Sequence, residues 1–123
     1  MTVCATDRLR IRHLSGEDAP FILELLNDTA FILNIGDRGV RGLEQARQYI
    51  ETGPAASYER FGFGLAMVEL KASSIPIGTC GLLRRDTHPD VEIGFAFLPA
   101  FRGKGYGLEA ASAVLQWGIR SLG

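Results

Sequence analysis

With 123 residues, 46% of them apolar, the chain has material for one domain built on one core, so a second domain is not expected. A formal net charge of -1 gives no overall attraction to nucleic acid or anionic lipid, so a local cluster of positive charge needs a local explanation. Cys4 and Cys80 are too few and too scattered for a disulfide framework or a metal knuckle, and the opening MTVCATDRLR has no apolar signal region, which points to a reduced cytoplasmic setting without a metal site.

Leu9, Ile11 and His13 alternate with Arg10 and Arg12, the period of a half-buried strand near residues 8–14. His13 falls on the apolar face and reads as a satisfied structural histidine. Ser15 offers an N-cap with Asp18 three residues later, ahead of Ile22, Leu23, Leu25 and Leu26 on a helical period that ends near Asn27. A polar, glycine-containing loop around Gly36 to Gly42 follows, and Leu43, Ala46 and Ile50 then mark a second short helix. Gly53, Pro54, Ala55, Ala56 and Ser57 read as one connecting loop.

Phe61 to Leu70, a turn at Lys71 to Ser74, and Ile75 to Leu83 read as a hairpin, with Pro76 blurring its start. Its apolar run, FGFGLAMV at 61–68, is far shorter than the roughly 20 residues needed to cross a bilayer, so no membrane association is expected. Cys80 fills core in this reading, because no paired His and carboxylate accompany it. His88, in RRDTHPD, reads as a solvated loop residue.

Val91 to Phe97 is the next strand, with Val91, Ile93, Phe95 and Phe97 on one face and Glu92, Gly94 and Ala96 on the other. The second face has little bulk, which suits either a ligand or a closely packed helix. A last helix carries Leu108, Ala111, Leu115 and Leu122 as one apolar stripe, weakened by Gly118, with Trp117 as packing. The sum is an α/β chain of the α+β kind, one domain over 1–123, in the order β-α-α-β-β-β-α.

The stretch VEIGFAFLPAFRGKGYG at 91–107 carries the most chemistry. A strand ends at a proline and opens into a turn where Gly103, Gly105 and Gly107 lack a Cβ, so that backbone N–H groups can converge on an anion. Arg102 and Lys104 add positive charge at its rim, and the helix beginning near Leu108 adds its dipole. The dinucleotide fingerprint fails, since Leu108 stands where it needs glycine and the chain ends before the required acidic residue. No G-x-x-x-x-G-K-[ST] run exists either.

What remains, R-G-K-G-Y-G after a strand and a proline, resembles the coenzyme A pyrophosphate loop of the GNAT superfamily of N-acetyltransferases. EIGFAFLPAFRGKGYGLEA at 92–110 and TDRLRIRHLSGEDAPFILELLND at 6–28 are similar to segments of its RimJ/RimL-type branch, and LEQARQYIE at 43–51 and IPIGTCGLLRRD at 75–86 sit in the expected order. The resemblance implies a GNAT-like fold that lacks, after IRSLG, the usual C-terminal β-α-β-β. It implies acetyl-CoA as cosubstrate, held by Phe97, Leu98, Arg102, Gly103, Lys104, Gly105, Tyr106 and Gly107, with the pantetheine arm along the strand 91–98. It also implies that Asn27, Asp28 and the loop to Gly42 border the acceptor pocket.

Aminolysis of a thioester needs a neutral amine, a donor for the developing oxyanion and a route for the amine proton. Glu92 is the candidate base, with an ordinary paired strand carboxylate as the bland alternative. A base matters most for a lysine amine of pKa about 10.4 and less for a chain N-terminus near about 8. The expected function is acetyl transfer to a primary amine such as a protein N-terminus; the alternative is a catalytically incomplete acyl-CoA-binding or interaction module. Nucleic-acid binding through Arg84, Arg85, Arg102 and Lys104 is disfavoured because no aromatic platform is interleaved with them. A strand at 91–98 without a successor leaves an open edge, which predicts self-association or a complementing partner chain.

Overall fold

The structure, a computed structural model, describes residues 2–84 and 90–122; the expectations for Arg85 and His88 lie outside them. Five antiparallel strands form one sheet in sequential order: β1 (Thr2–Ala5), β2 (Leu9–His13), β3 (Leu65–Leu70), β4 (Pro76–Arg84) and β5 (Val91–Phe97). Between β2 and β3 run α1 (Ala19–Leu26), α2 (Thr29–Asn34), α3 (Leu43–Ile50) and α4 (Ala56–Phe61), and α5 (Tyr106–Leu122) follows β5.

The alternation in β2 sorts its side chains between two cores. Leu9 and Ile11 are fully buried and join Val68, Cys80, Phe97, Ala110 and Val114 beneath α5. Across the sheet, Ile22, Leu25 and Leu26 of α1 pack with Ala46, Ile50 and Met67, and burying each such large aliphatic side chain contributes about 1.5–3 kcal/mol. Arg12 donates to both Asp18 oxygens at 2.9 and 3.0 Å and to Glu69 at 3.1 Å, so the carboxylates buried on this face are paired. Asp18 also accepts from the Ser15 N–H at 2.9 Å, the capping contact expected from the sequence, here closing a 3-10 turn that feeds α1.

Several expectations need correction. The chain starts one strand earlier, because β1 pairs with β2 across the Thr6–Arg8 turn. After α1 stops at Asn27, Asp28 caps a further helix, its carboxylate accepting from the Phe31 N–H at 3.1 Å. Gly53 to Ser57 is not a loop. Pro54 cannot donate an N–H to the helical ladder, and the chain accommodates it in a π-type turn (Glu51–Ala55) that runs on into α4. Phe61 closes α4, and Gly62 caps it in the left-handed region at φ 80°, so the hairpin begins only at Leu65.

The apolar stripe of the last helix is also misassigned. α5 buries Ala110, Val114 and Gly118 instead, while Leu108 is 77% and Ile119 72% exposed and Leu115 and Leu122 are about half exposed. Close approach decides the matter: a Cβ on Gly118 would sit 2.8 Å from Leu82 Cδ1, so the small-residue side of the helix is the one that fits the sheet.

Candidate functional site

Strand β5 hands over to α5 through the glycine-rich turn. Leu98 N–H still donates to Ile77 O at 3.0 Å, a short 3-10 turn spans Pro99–Phe101, and α5 begins at Tyr106. Gly103 and Gly105 adopt φ values of 74° and 82°, which are cheap only for glycine. A Cβ at Gly103 would meet nothing within 4 Å. The first helical bond from this turn runs from Glu109 N–H to Gly105 O at 3.1 Å, so the amides of Tyr106, Gly107 and Leu108 belong to the unsatisfied first turn. Together with the positive end of a 17-residue helix, they offer the N–H donors and partial charge that an anion could take.

Two clamps from distant parts of the chain hold this turn. Arg102 donates from Nε to Phe97 O at 3.0 Å and from NH2 to Asp28 Oδ2 at 3.0 Å, tying the turn to the N-cap of α2. Burial works against ionisation of Asp28, yet Arg102 and the Phe31 and Ala30 amides hold its carboxyl below the ordinary value. On the other side Arg8 donates to Glu109 Oε1 at 2.6 Å and to Lys104 O at 3.0 Å, with its guanidinium 4.4 Å from the centre of the Tyr106 ring. Burial again opposes the charge on Glu109, and the Thr6 hydroxyl and Arg8 overcome it and keep its pKa low.

Arg102 is therefore a brace as well as a rim cation, whereas Lys104 is exposed and has no ion pair among the described residues. Arg8 and Glu109 escaped the sequence reading. Their pairing depends on the β1–β2 turn, and Thr2–Ala5 is too short to announce itself as a strand.

The rest of the predicted cofactor set is brought to the same place. Phe97 is buried under α5, so what it offers a ligand is main chain, and Leu98 packs against the opposite core. A Cβ on Gly107 would lie 3.4 Å from the Phe95 ring, which fixes how closely the helix start can seat on β5. The inner edge of β5 pairs with β4 from Gly78↔Phe97 to Arg84↔Val91; its outer edge has no strand beside it among the described residues.

On the small-residue face of β5 lies a cleft of about 200 Å³. Its floor is sheet, including Leu65, Thr79, Leu83, Gly94 and Ala96, and its roof comes from α1, α2 and α3 with the loop between the last two. The two readings of Gly94 and Ala96 thus combine. A Cβ on Gly94 would come within 2.8 Å of Leu83 Cδ1, and the space above these residues is open cleft and not packed helix. Glu92 stands opposite Leu83, on the cleft's face of the sheet, and is half-buried with a partner of its own.

His13, Cys80 and Trp117 stay out of the site. His13 stacks on Tyr58 with ring centres 3.8 Å apart, while the Tyr58 hydroxyl accepts from Leu14 N–H at 3.0 Å and donates to Leu65 O. Cys80 is fully buried, and burial pushes its thiol up to about 12. Trp117 packs on the core under α5. No described helix is long and apolar enough to cross a membrane.

A family pattern described as "Acetyltransferase (GNAT) domain" matches residues 8–123. The chain belongs to the GNAT acetyltransferase family. It is 28% identical over 122 residues to the uncharacterised N-acetyltransferase YoaA of Bacillus subtilis, a match that covers 98% of this chain and 68% of that protein. Among solved structures it superposes on an acetyltransferase from Agrobacterium tumefaciens with a TM-score of 0.82 and 26% identity, covering 99% of this chain and 68% of that one. It also shares the fold of a RimL ribosomal α-N-protein acetyltransferase solved with coenzyme A, with a TM-score of 0.69 and 15% identity, over 98% of this chain and 66% of that one.

Proposed function

We propose that this chain binds acetyl-CoA with its pyrophosphate on the turn Arg102–Gly107 and its pantetheine arm along the outer edge of β5, and that it transfers the acetyl group to a primary amine. The observation that carries the reading is the pair of left-handed glycines, Gly103 and Gly105, opening the first-turn amides of α5 directly beside a strand edge that is unpaired among the described residues. The pyrophosphate takes N–H donors and the Lys104 charge. The pantetheine amides take the alternating N–H and C=O groups of β5, as an added strand does. That a neighbour of the same fold was solved with coenzyme A supports the choice of cofactor.

In the transfer step the amine nitrogen attacks the thioester carbonyl carbon, the C–N bond forms, the C–S bond breaks, and the thiolate takes a proton from solvent. Glu92, on the cleft's face of β5, assists loss of the amine proton. The acceptor is a chain N-terminus or a small molecule bearing an amine. Titrating CoA and acetyl-CoA into this chain by calorimetry, beside an assay of thiol release, tests both binding and turnover.

The unpaired outer edge of β5 favours a second reading as an acyl-CoA-binding module without turnover, since that edge leaves the cleft with one wall among the described residues. Tight CoA binding without thiol release would select it. The same edge, with half-exposed Phe95, and the exposed stripe of Leu108, Leu115, Ile119 and Leu122 on α5 form the surface through which a second copy, or another chain supplying a strand, would attach.

A further inference from the structure

The cleft above Gly94 and Ala96 is apolar except at three points, and each of the three lacks a partner. Thr79 is 4% exposed on the floor, yet its hydroxyl makes no hydrogen bond among the described residues. The Tyr49 hydroxyl, on the roof, makes none either. Arg38 reaches the cleft from the loop between α2 and α3 and has no carboxylate within ion-pair distance among the described residues. Its neighbours differ sharply: Arg41, in the same loop, is held by Asp37 at 2.5 Å, and Arg12 and Arg102 each have a carboxylate.

Among the described residues no buried side-chain N or O atom is left unpaired, so the Thr79 and Tyr49 hydroxyls are open to the cleft and free to pair with what enters it, and a lone cation beside an apolar cleft is matched by an anion on the same ligand. The cleft's 200 Å³ is on the order of seven water volumes of ~30 Å³, the scale of one amino acid.

We infer that the acceptor is a free apolar α-amino acid, its side chain seated against Ile22, Leu25 and Phe31, its carboxylate received by Arg38 and Tyr49, and its amine accepted by the Thr79 hydroxyl on the β5 side. This deepens the acetyltransfer reading and rests on it. A chain N-terminus presents the same amine and side chain but an amide where Arg38 calls for a carboxylate, so leucine and leucinamide separate the two.

Calorimetry on the full chain with L-leucine and L-leucinamide, with CoA titrated separately, tests the inference. Leucine should bind at least tenfold more tightly than leucinamide; Arg38→Gln should erase that preference, and Thr79→Val should weaken both ligands while keeping it. Arg38 is exposed and has no ion pair among the described residues, and Thr79→Val is isosteric, so both variants should fold, which circular dichroism checks. Equal or tighter binding of leucinamide, a preference that survives Arg38→Gln, or no binding of leucine overturns the inference. If CoA still binds in those cases, the cofactor assignment stands alone; if CoA itself fails to bind, the assignment of the loop falls.

Discussion

Replacing Gly105 by valine tests the phosphate-loop assignment most directly, because the structure supplies its own control. Gly105 and Gly62 share nearly the same left-handed backbone, φ 82° and 80°, but Gly62 caps α4, away from the turn between β5 and α5. A β-branched residue costs about 1–2 kcal/mol of backbone strain at either position. Local clashes add little to the difference: a Cβ at Gly62 meets nothing within 4 Å, and one at Gly105 meets only Arg8 NH2, at 3.4 Å. The two variants should therefore lose similar stability in urea, with similar slopes.

Their affinities should part. At Gly105 the new side chain stands beside the amides assigned to the pyrophosphate, and losing one or two hydrogen bonds to a charged group, about 1.5–3 kcal/mol each, weakens CoA binding by at least tenfold. Gly62→Val should leave affinity within a factor of two. Calorimetric titration of CoA into both, at a temperature where both are folded, reads the difference. Equal CoA affinity in the two variants would refute the assignment of this turn, since strain alone would then account for everything seen.

Glu92→Gln should lower the rate of thiol release most at pH values below the amine's own pKa, with CoA affinity nearly unchanged; an unaltered rate at low pH would make Glu92 a structural carboxylate. Asp18→Asn removes an acceptor from Arg12 and Ser15 and should cost about 1–3 kcal/mol in urea denaturation near neutral pH. Burial opposes its charge, but Arg12 and the Ser15 amide hold its carboxyl below the ordinary range. Its contribution is therefore present above an unfolded pKa of about 3.9 and lost as pH falls through the lower folded value. The gap between wild type and variant should close in acid, and a gap constant down to pH ~2 would contradict this account of the pair. Leu115→Glu with Ile119→Glu should dissociate any self-assembly seen by sedimentation; a wild-type chain that remains at 13.4 kDa at every concentration would show that the stripe binds no second copy.

The elements that carried a period were legible in sequence, and the errors fell where another force decided. Leu9 and Ile11 in β2, Leu25 and Leu26 in α1, and Ala46 and Ile50 in α3 are buried as their spacing implies. The reading of α5 failed because leucines were counted as the inner face. What sets that face is how near the helix must come to Leu82, and only Gly118, with Ala110 and Val114, permits it. Pro54 looked like a break because it removes an N–H, whereas a single wide turn absorbs it. The turn between β5 and α5 was legible from its glycines, while its two braces were not, since Arg102 reaches 74 residues back to Asp28 and Arg8 reaches 101 residues forward to Glu109.

Those braces change what the turn is. Read as charge, Arg102 and Lys104 are interchangeable rim cations; of the two, Lys104 has no ion-pair partner among the described residues, while Arg102 joins three elements at once. Its Nε holds the last carbonyl of β5, and its NH2 holds the N-cap of α2, the helix whose Phe31 roofs the cleft above Gly94 and Ala96. A shift of the glycine-rich turn thus bears on the roof of the cleft through one guanidinium. Because Asp28 also caps α2 through the Phe31 amide, loosening Arg102 would loosen the residue that closes the cleft from above. The residue that looked most like a phosphate ligand ties the glycine-rich turn after β5 to the helix that roofs the cleft.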